Sequence, residues 1–168
     1  MNKQIRTLVR AALFAALTCM MTLVIQIPAP VGGYINVGDV GVLLSAWALG
    51  PIWGGAAAAA GSALADLLSW PVYAPATFII KFAMAAVAAL IFRAAKKRNR
   101  KYIGMTLGAV AAELIMVAGY FLFESAIVGV GAAAAASLFN LLQGTVGAVV
   151  GAAAGILLDR GGVLKKLK

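Results

Sequence analysis

Few residues of this 168-residue chain could do chemistry, and they fall in a restricted set of places. Tyr34, Asn36 and Asp39 precede or open one apolar segment, Asp66 lies near the end of the next, and Thr77 and Lys81 sit one turn apart in a third. Glu113, Val117, Tyr120 and Glu124 follow at spacings of four, three and four, which makes one continuous stripe on a helix, and Asn140 and Gln143 share a face further on. Carboxylate, ammonium and amide groups inside apolar segments are expensive in a bilayer and mark a site by default. Such a mixture of rings, amides and few charges suits recognition of a small heteroaromatic molecule with hydroxyl or amino substituents. Catalysis starts at a disadvantage. The chain has no histidine and a single cysteine, Cys19, so the commonest general base and any intramolecular disulfide are missing. An acid–base role for Asp39, Asp66 or Glu113 lacks an activated nucleophile to serve, and no catalytic residue, metal ligand set or cofactor is expected.

The elements that must position these residues are membrane helices. Hydrophobic residues make up 64% of the chain and charged ones 11%, with a mean hydropathy of +1.01, whereas a soluble domain carries about a quarter charged residues. Apolar segments run over residues 8–27, 39–49, 51–68, 75–93, 103–123 and 132–158, separated by proline, glycine and basic punctuation. The reading is an all-α integral membrane protein of six transmembrane helices, one domain over residues 1–168. The second segment is short: residues 39–50 make a helix of only ~18 Å against a hydrocarbon core of about 30 Å. Either residues 34–37 extend it, or a short helix leaves room for an inward-folded loop over residues 28–38, which irregular backbone at that depth tolerates when protein surrounds it. The segment after Lys3, Arg6 and Arg10 has the length of a span rather than of a cleaved leader, so the first helix is expected to stay.

Charge supports an orientation. Six alternating spans from a cytoplasmic N-terminus place Lys3, Arg6 and Arg10, the run from Arg93 to Lys101, and the segment from Arg160 to Lys168 on one side, with both termini cytoplasmic. The net charge of +9 is then a topology signal, and no nucleic-acid partner is implied. No internal repeat links the two halves; the alanine tracts at 56–60 and 132–136 are alike only in composition.

Several residues admit a plainer role. Lys81 could pair with Asp66 or Glu113, Asp39 could be the N-cap of the second helix, and Asn140 and Gln143 could bond neighbouring helices. Trp70 and Tyr73 read as interfacial belt aromatics, and Asp159 beside Arg160 as solvated. On the first helix, Ala11 with Ala15 and Ala12 with Ala16 form overlapping small-xxx-small pairs that let another helix approach closely.

Taken together, Tyr34-x-Asn36-x-Gly38-Asp39, Gly50-Pro51, Ala65-Asp66, Tyr73-x-Pro75-x-Thr77-x-x-x-Lys81 and Asn140-x-x-Gln143 give a chain that resembles the substrate-binding S component of energy-coupling factor (ECF) vitamin transporters. The similar branch holds the riboflavin-, pyridoxine- and hydroxymethylpyrimidine-type components. The resemblance implies six helices in the cell membrane, a vitamin held near the outer side beneath the first external loop, and docking through an Ala-x-x-x-Ala surface that maps to Ala11, Ala12, Ala15 and Ala16. It also implies a transmembrane T component and two cytoplasmic ATPase subunits as partners, and the absence of a Walker glycine-lysine loop fits that division of labour. The expected substrate-binding residues are Tyr34, Asn36, Asp39, Thr77, Lys81, Glu113, Tyr120, Glu124, Asn140 and Gln143. Lys81 in the pocket disfavours a cation such as thiamine. Pyridoxine or hydroxymethylpyrimidine fits better, with riboflavin as the larger alternative. A stand-alone small transporter or channel is the rival class.

Overall fold

The structure is a computed structural model and describes residues 2–29 and 33–166. The chain runs through α1 (Lys3–Val24), β1 (Ile27–Pro28), β2 (Tyr34–Ile35), α2 (Gly38–Leu49), α3 (Pro51–Ser69), α4 (Ala74–Lys97), α5 (Lys101–Val128), α6 (Val130–Arg160) and the short α7 (Val163–Lys166). Four helices, α1, α4, α5 and α6, are long and apolar enough to cross a membrane. Helix α3 is of similar length but is built largely of alanine and glycine, and α2 has only 12 residues.

The short helix is the post around which the others stand. Of the residues of α2 all but Leu49 are buried, and the helix touches α1, α3, α4 and α6. Around it, α3 packs on α1 and α4, α4 on α5, and α5 on α6. The core is correspondingly centred on Val42, Leu43 and Trp47 of α2 with Met84, Ala88, Met105, Ala112 and Met116 of α4 and α5. Thr18 and Thr22 return their hydroxyls to carbonyls four residues back on α1, which frees that face to lie against Gly41 and Gly38 of α2. By contrast the outward faces of α1, α4, α5 and α6 carry exposed Leu, Ile, Val and Phe, the surface that lipid covers.

Helices α4, α5 and α6 run a few residues past the expected apolar segments, to Lys97, over Lys101–Val128 and over Val130–Arg160, and two further boundaries differ in ways that shape the site. Helix α1 stops at Val24 rather than near Ile27, because Pro28 disfavours helical backbone at the residue before it, and Ile27–Pro28 instead pairs antiparallel with Tyr34–Ile35. That hairpin consumes residues that could have lengthened α2, so α2 is short. The tip of the expected 28–38 loop, residues 30–32, lies outside the described residues. At the other end of α2, Gly50 turns the chain into α3 with φ +85°, a left-handed conformation for which glycine is suited, and Pro51 occupies the first helical position.

Antiparallel packing gathers most of the described basic residues, Lys81 excepted, at one end of the bundle. There Lys101 bonds Asp159 at 2.5 Å, and Lys101 and Arg160 both lie over the Tyr102 ring. Asp159 is therefore paired and buried, not merely solvated.

Candidate substrate site at the hairpin end

At the opposite end a narrow cleft opens between the hairpin and the ends of α3, α4, α5 and α6. It encloses about 450 Å³ of unfilled space, part of it open to solvent, and is lined by Tyr34, Asn36, Asp66, Tyr73, Tyr120, Glu124, Asn140 and Gln143 together with small residues. Each wall has a local cause. The hairpin turns Tyr34 toward α3, where its hydroxyl donates to Asp66 Oδ1 at 2.5 Å and accepts from Ser69 Oγ at 3.3 Å. The turn after Ser69 presents Tyr73, whose hydroxyl reaches Glu124 Oε1 at 3.5 Å and whose ring packs edge-on against Phe123. Tyr120, one turn below Glu124, shares a hydrogen bond of 2.8 Å with Thr77.

Beneath the cleft lies a buried charged layer. Lys81 donates to Asp39 Oδ1, and Gln143 Nε2 donates to Asp39 Oδ2 at 2.6 Å. Gln143 Oε1 in turn accepts from the backbone N–H of Asn36 at 2.9 Å, and Asn36 Oδ1 accepts from Gly38 N at 2.8 Å, covering the start of α2. A single connected path therefore runs from α4 through α2 and α6 into the hairpin. The Lys81 ammonium also sits 5.6 Å from the Tyr120 ring centroid. Glu113 borders the same layer: a Cβ on residue 147 would fall 2.5 Å from Glu113 Oε1 and 3.1 Å from Asp39 Cβ, so glycine there is what lets α6 close over both. Neither oxygen of Glu113 has a hydrogen-bond partner among the described residues.

The structure thus divides the ten expected site residues. Tyr34, Asn36, Tyr120, Glu124, Asn140 and Gln143 line the cleft, while Asp39, Thr77, Lys81 and Glu113 are buried in the layer below; Asp39 and Lys81 reach the cleft through Gln143 and Thr77 through Tyr120, whereas Glu113 bonds to neither. Lys81 pairs with Asp39, not with Asp66 or Glu113, since Asp66 is taken by Tyr34. Nor is Asp39 the N-cap: it lies within the first turn of α2, and its carboxylate is spent on Lys81 and Gln143. Gln143 meets the level of the Asp39–Lys81 pair through its bond to Asp39, and Asn140, three residues nearer the start of α6, stands ~4.5 Å above it at the cleft. Tyr73, expected in an interfacial belt, lines the cleft instead. Its spacing of four from Thr77, on the Lys81 face of the same segment, was the available signal.

Both hairpin-side phenols stay protonated over the physiological range. Burial raises the Tyr34 hydroxyl further above its ordinary value, and its hydrogen bond to Asp66 adds to this; burial, reinforced by the negative charge of Glu124, pushes Tyr73 up to about 12. Two polar atoms of the lining remain unused. Glu124 Oε2 and Asn140 Nδ2 are buried and have no hydrogen-bond partner among the described residues, a costly condition unless something else occupies the cleft.

The four alanines of α1 also separate. Ala11 and Ala15 turn inward, where a Cβ on Gly61 of α3 would fall 2.3 Å from the Ala15 carbonyl oxygen. Ala12 and Ala16 are exposed on the outward face, beside Leu13 and Met20.

Comparison with known proteins agrees with this architecture. The family model for the S component of ECF-type riboflavin transporters matches residues 2–160. An uncharacterized protein encoded in the gap 3' region of Pyrococcus woesei is 31% identical over 140 residues, covering 83% of this chain and 92% of the relative. Among solved structures, the S component of a bacterial ECF transporter superposes with a TM-score of 0.67 over 94% of this chain and 95% of that chain, at 21% identity, which shows a shared fold. The chain belongs to the family of ECF-type riboflavin transporter S components, multi-pass membrane subunits that bind vitamins and work with a T component and ATPase subunits.

Proposed function

We propose that this S component captures a small, neutral, hydroxylated heteroaromatic ring, pyridoxine or hydroxymethylpyrimidine, in the cleft at the hairpin end. In this reading the chain is a single domain of six spans with both termini cytoplasmic, and the hairpin end faces outward. The observation that carries the assignment is the pair of unused atoms, Glu124 Oε2 and Asn140 Nδ2: one acceptor and one donor, buried in a narrow cleft whose other walls are phenol rings. A flat ring between Tyr34, Tyr73 and Tyr120 that accepts from Asn140 and donates a hydroxyl or amino proton to Glu124 meets both. Asp39, Thr77 and Lys81 then act by holding Gln143 and Tyr120 in place. Riboflavin is the second reading, favoured by the description of the matching family model.

Calorimetric titration of the purified chain with pyridoxine, hydroxymethylpyrimidine, riboflavin and thiamine tests this. One-to-one binding of a pyridine or pyrimidine, weakened by at least ~1 kcal/mol in Asn140→Leu and in Glu124→Gln, is the expected result. Riboflavin binding alone would replace the first reading by the second. Docking is assigned to the outward pair, Ala12 and Ala16. Ala12→Leu with Ala16→Leu is expected to leave vitamin binding intact and to stop uptake in vesicles holding the full transporter, whereas uptake by the chain without partners would overturn the division of labour altogether.

A further inference from the structure

The basic end of the bundle holds a second, larger cavity. It lies between the start of α1, the end of α2 and the end of α4, has an unfilled volume of about 1270 Å³ counting the part open to solvent, and is rimmed by Arg10, Arg93, Lys96 and Lys97. Its deeper wall is apolar, made by Leu49, Phe92 and Trp47 among others.

Clustered lysines at a membrane surface are ordinary, since their stems lie along apolar surface while their charges reach water. Two observations separate this cluster from that background. First, the chain's acidic side chains are engaged at other places. All five Asp and Glu residues are placed elsewhere: Asp39, Asp66, Glu113 and Glu124 in or under the hairpin-end cleft, and Asp159 on Lys101. Among the described residues no carboxylate lines the cavity, and none pairs with Arg93, Lys96 or Lys97. Second, the wall contains a buried donor with nothing to bond. Trp47 is 1% exposed, and its Nε1 has no hydrogen-bond partner among the described residues. The Cε3–Cζ3 edge of the indole faces α6 at Gly155, so the N–H lies on the opposite edge, away from α6. An indole nitrogen can only donate, and a cluster of cations cannot accept. What is missing is an anion with several acceptor oxygens.

The Gly50 turn adds to the geometry. A Cβ there would fall 2.0 Å from Arg93 Nη2, so the absence of a side chain lets the guanidinium lie against the α2–α3 turn. A planar guanidinium with lysines beside it matches the oxygens of a phosphate. The apolar inner wall matches an acyl chain.

We infer that this cavity binds the phosphate of an anionic phospholipid, with the headgroup between Arg93, Lys96 and Lys97, the Trp47 N–H directed to it, and an acyl chain against Leu49 and Phe92. Basic pockets between membrane helices are suited to such headgroups. The site is independent of the vitamin cleft and does not depend on which vitamin is bound there.

Native mass spectrometry of the delipidated full-length chain, titrated in turn with dioleoyl phosphatidylglycerol, dioleoyl phosphatidylcholine and inorganic phosphate, tests the inference. Phosphatidylglycerol is expected to be retained about tenfold better than phosphatidylcholine, and Lys96→Gln with Lys97→Gln to remove most of that preference. Both lysines are exposed, so the pair is not expected to disturb folding, which circular dichroism checks. Trp47→Phe provides a second variant: a loss of about fivefold for phosphatidylglycerol, with phosphatidylcholine unchanged, supports the indole contact. Equal retention of the two lipids would overturn the inference. So would displacement of phosphatidylglycerol by equimolar inorganic phosphate, which would make the ligand a soluble anion. A preference absent from the chain alone, with association to the T component that depends on these lysines, would assign the surface to a protein instead.

Discussion

The two ends of this bundle each open into a cavity, and they solve opposite problems. At the hairpin end three carboxylates (Asp39, Asp66 and Glu124), two amides (Asn36 and Gln143) and three phenols are joined by hydrogen bonds, so that the single lysine present is neutralised and most of the walls are fixed. At the basic end the side chains of Arg93, Lys96 and Lys97 pair with no carboxylate among the described residues. The difference teaches where rigidity comes from in a protein so rich in alanine. Packing of small residues brings the helices close throughout, but only the hairpin end adds polar bonds that specify one arrangement of side chains.

The contrast can be broken most severely at Lys81. Lys81→Met strands the Asp39 carboxylate in the core and is expected to cost about 3–5 kcal/mol, read as a large fall in thermal stability in detergent. Adding Asp39→Asn is expected to restore much of that loss, because the cost lies in the unpaired partner. Next comes Gln143→Leu, which removes the bonds to Asp39 and to the Asn36 backbone. About 1–3 kcal/mol of destabilisation and faster hydrogen exchange at residues 34–37 are expected; unaltered exchange would mean that the hairpin is not held from below. Tyr34→Phe deletes the contacts with Asp66 and Ser69 and should cost roughly 1 kcal/mol in the same melt. Lys96→Ala should change stability by less than about 0.5 kcal/mol. A loss there comparable to that of Lys81→Met would erase the distinction between the ends.

How legible this was from the sequence varies with the kind of constraint. The starts of α3 at Pro51 and of α4 beside Pro75 followed from proline punctuation, since that residue acts locally, whereas α5 and α6 extend beyond the expected segments at both ends. The hairpin did not, because the pairing of Ile27 with Ile35 is a contact between segments, and the apolar run into Ile27 reads as helix until Pro28 is weighed. Polar residues announced themselves by type and depth, and most of them gathered at one end as expected. Their pairing was less visible. On paper Lys81 had Asp66 and Glu113 as partners, yet it pairs with Asp39, while the hydroxyl of Tyr34 claims Asp66 from above. Tyr73 was missed for a related reason: an aromatic beside a proline turn looks the same in sequence whether it faces lipid or a cleft. On α1, the inward turn of Ala11 and Ala15 depended on Gly61, about fifty residues away in the chain.

The Gln143 amide has a sense of direction. Its oxygen accepts from the Asn36 N–H and its nitrogen donates to Asp39, so flipping it end over end would set donor against donor and acceptor against acceptor. Its orientation therefore follows from the charge on Asp39, which Lys81 secures in turn. The amide works as a one-way coupling. It carries the sign of a buried charge upward into a neutral loop, so that the position of the cleft's cover is written by electrostatics one layer below it, and a ligand that competed for Gln143 would be felt at the hairpin without touching it.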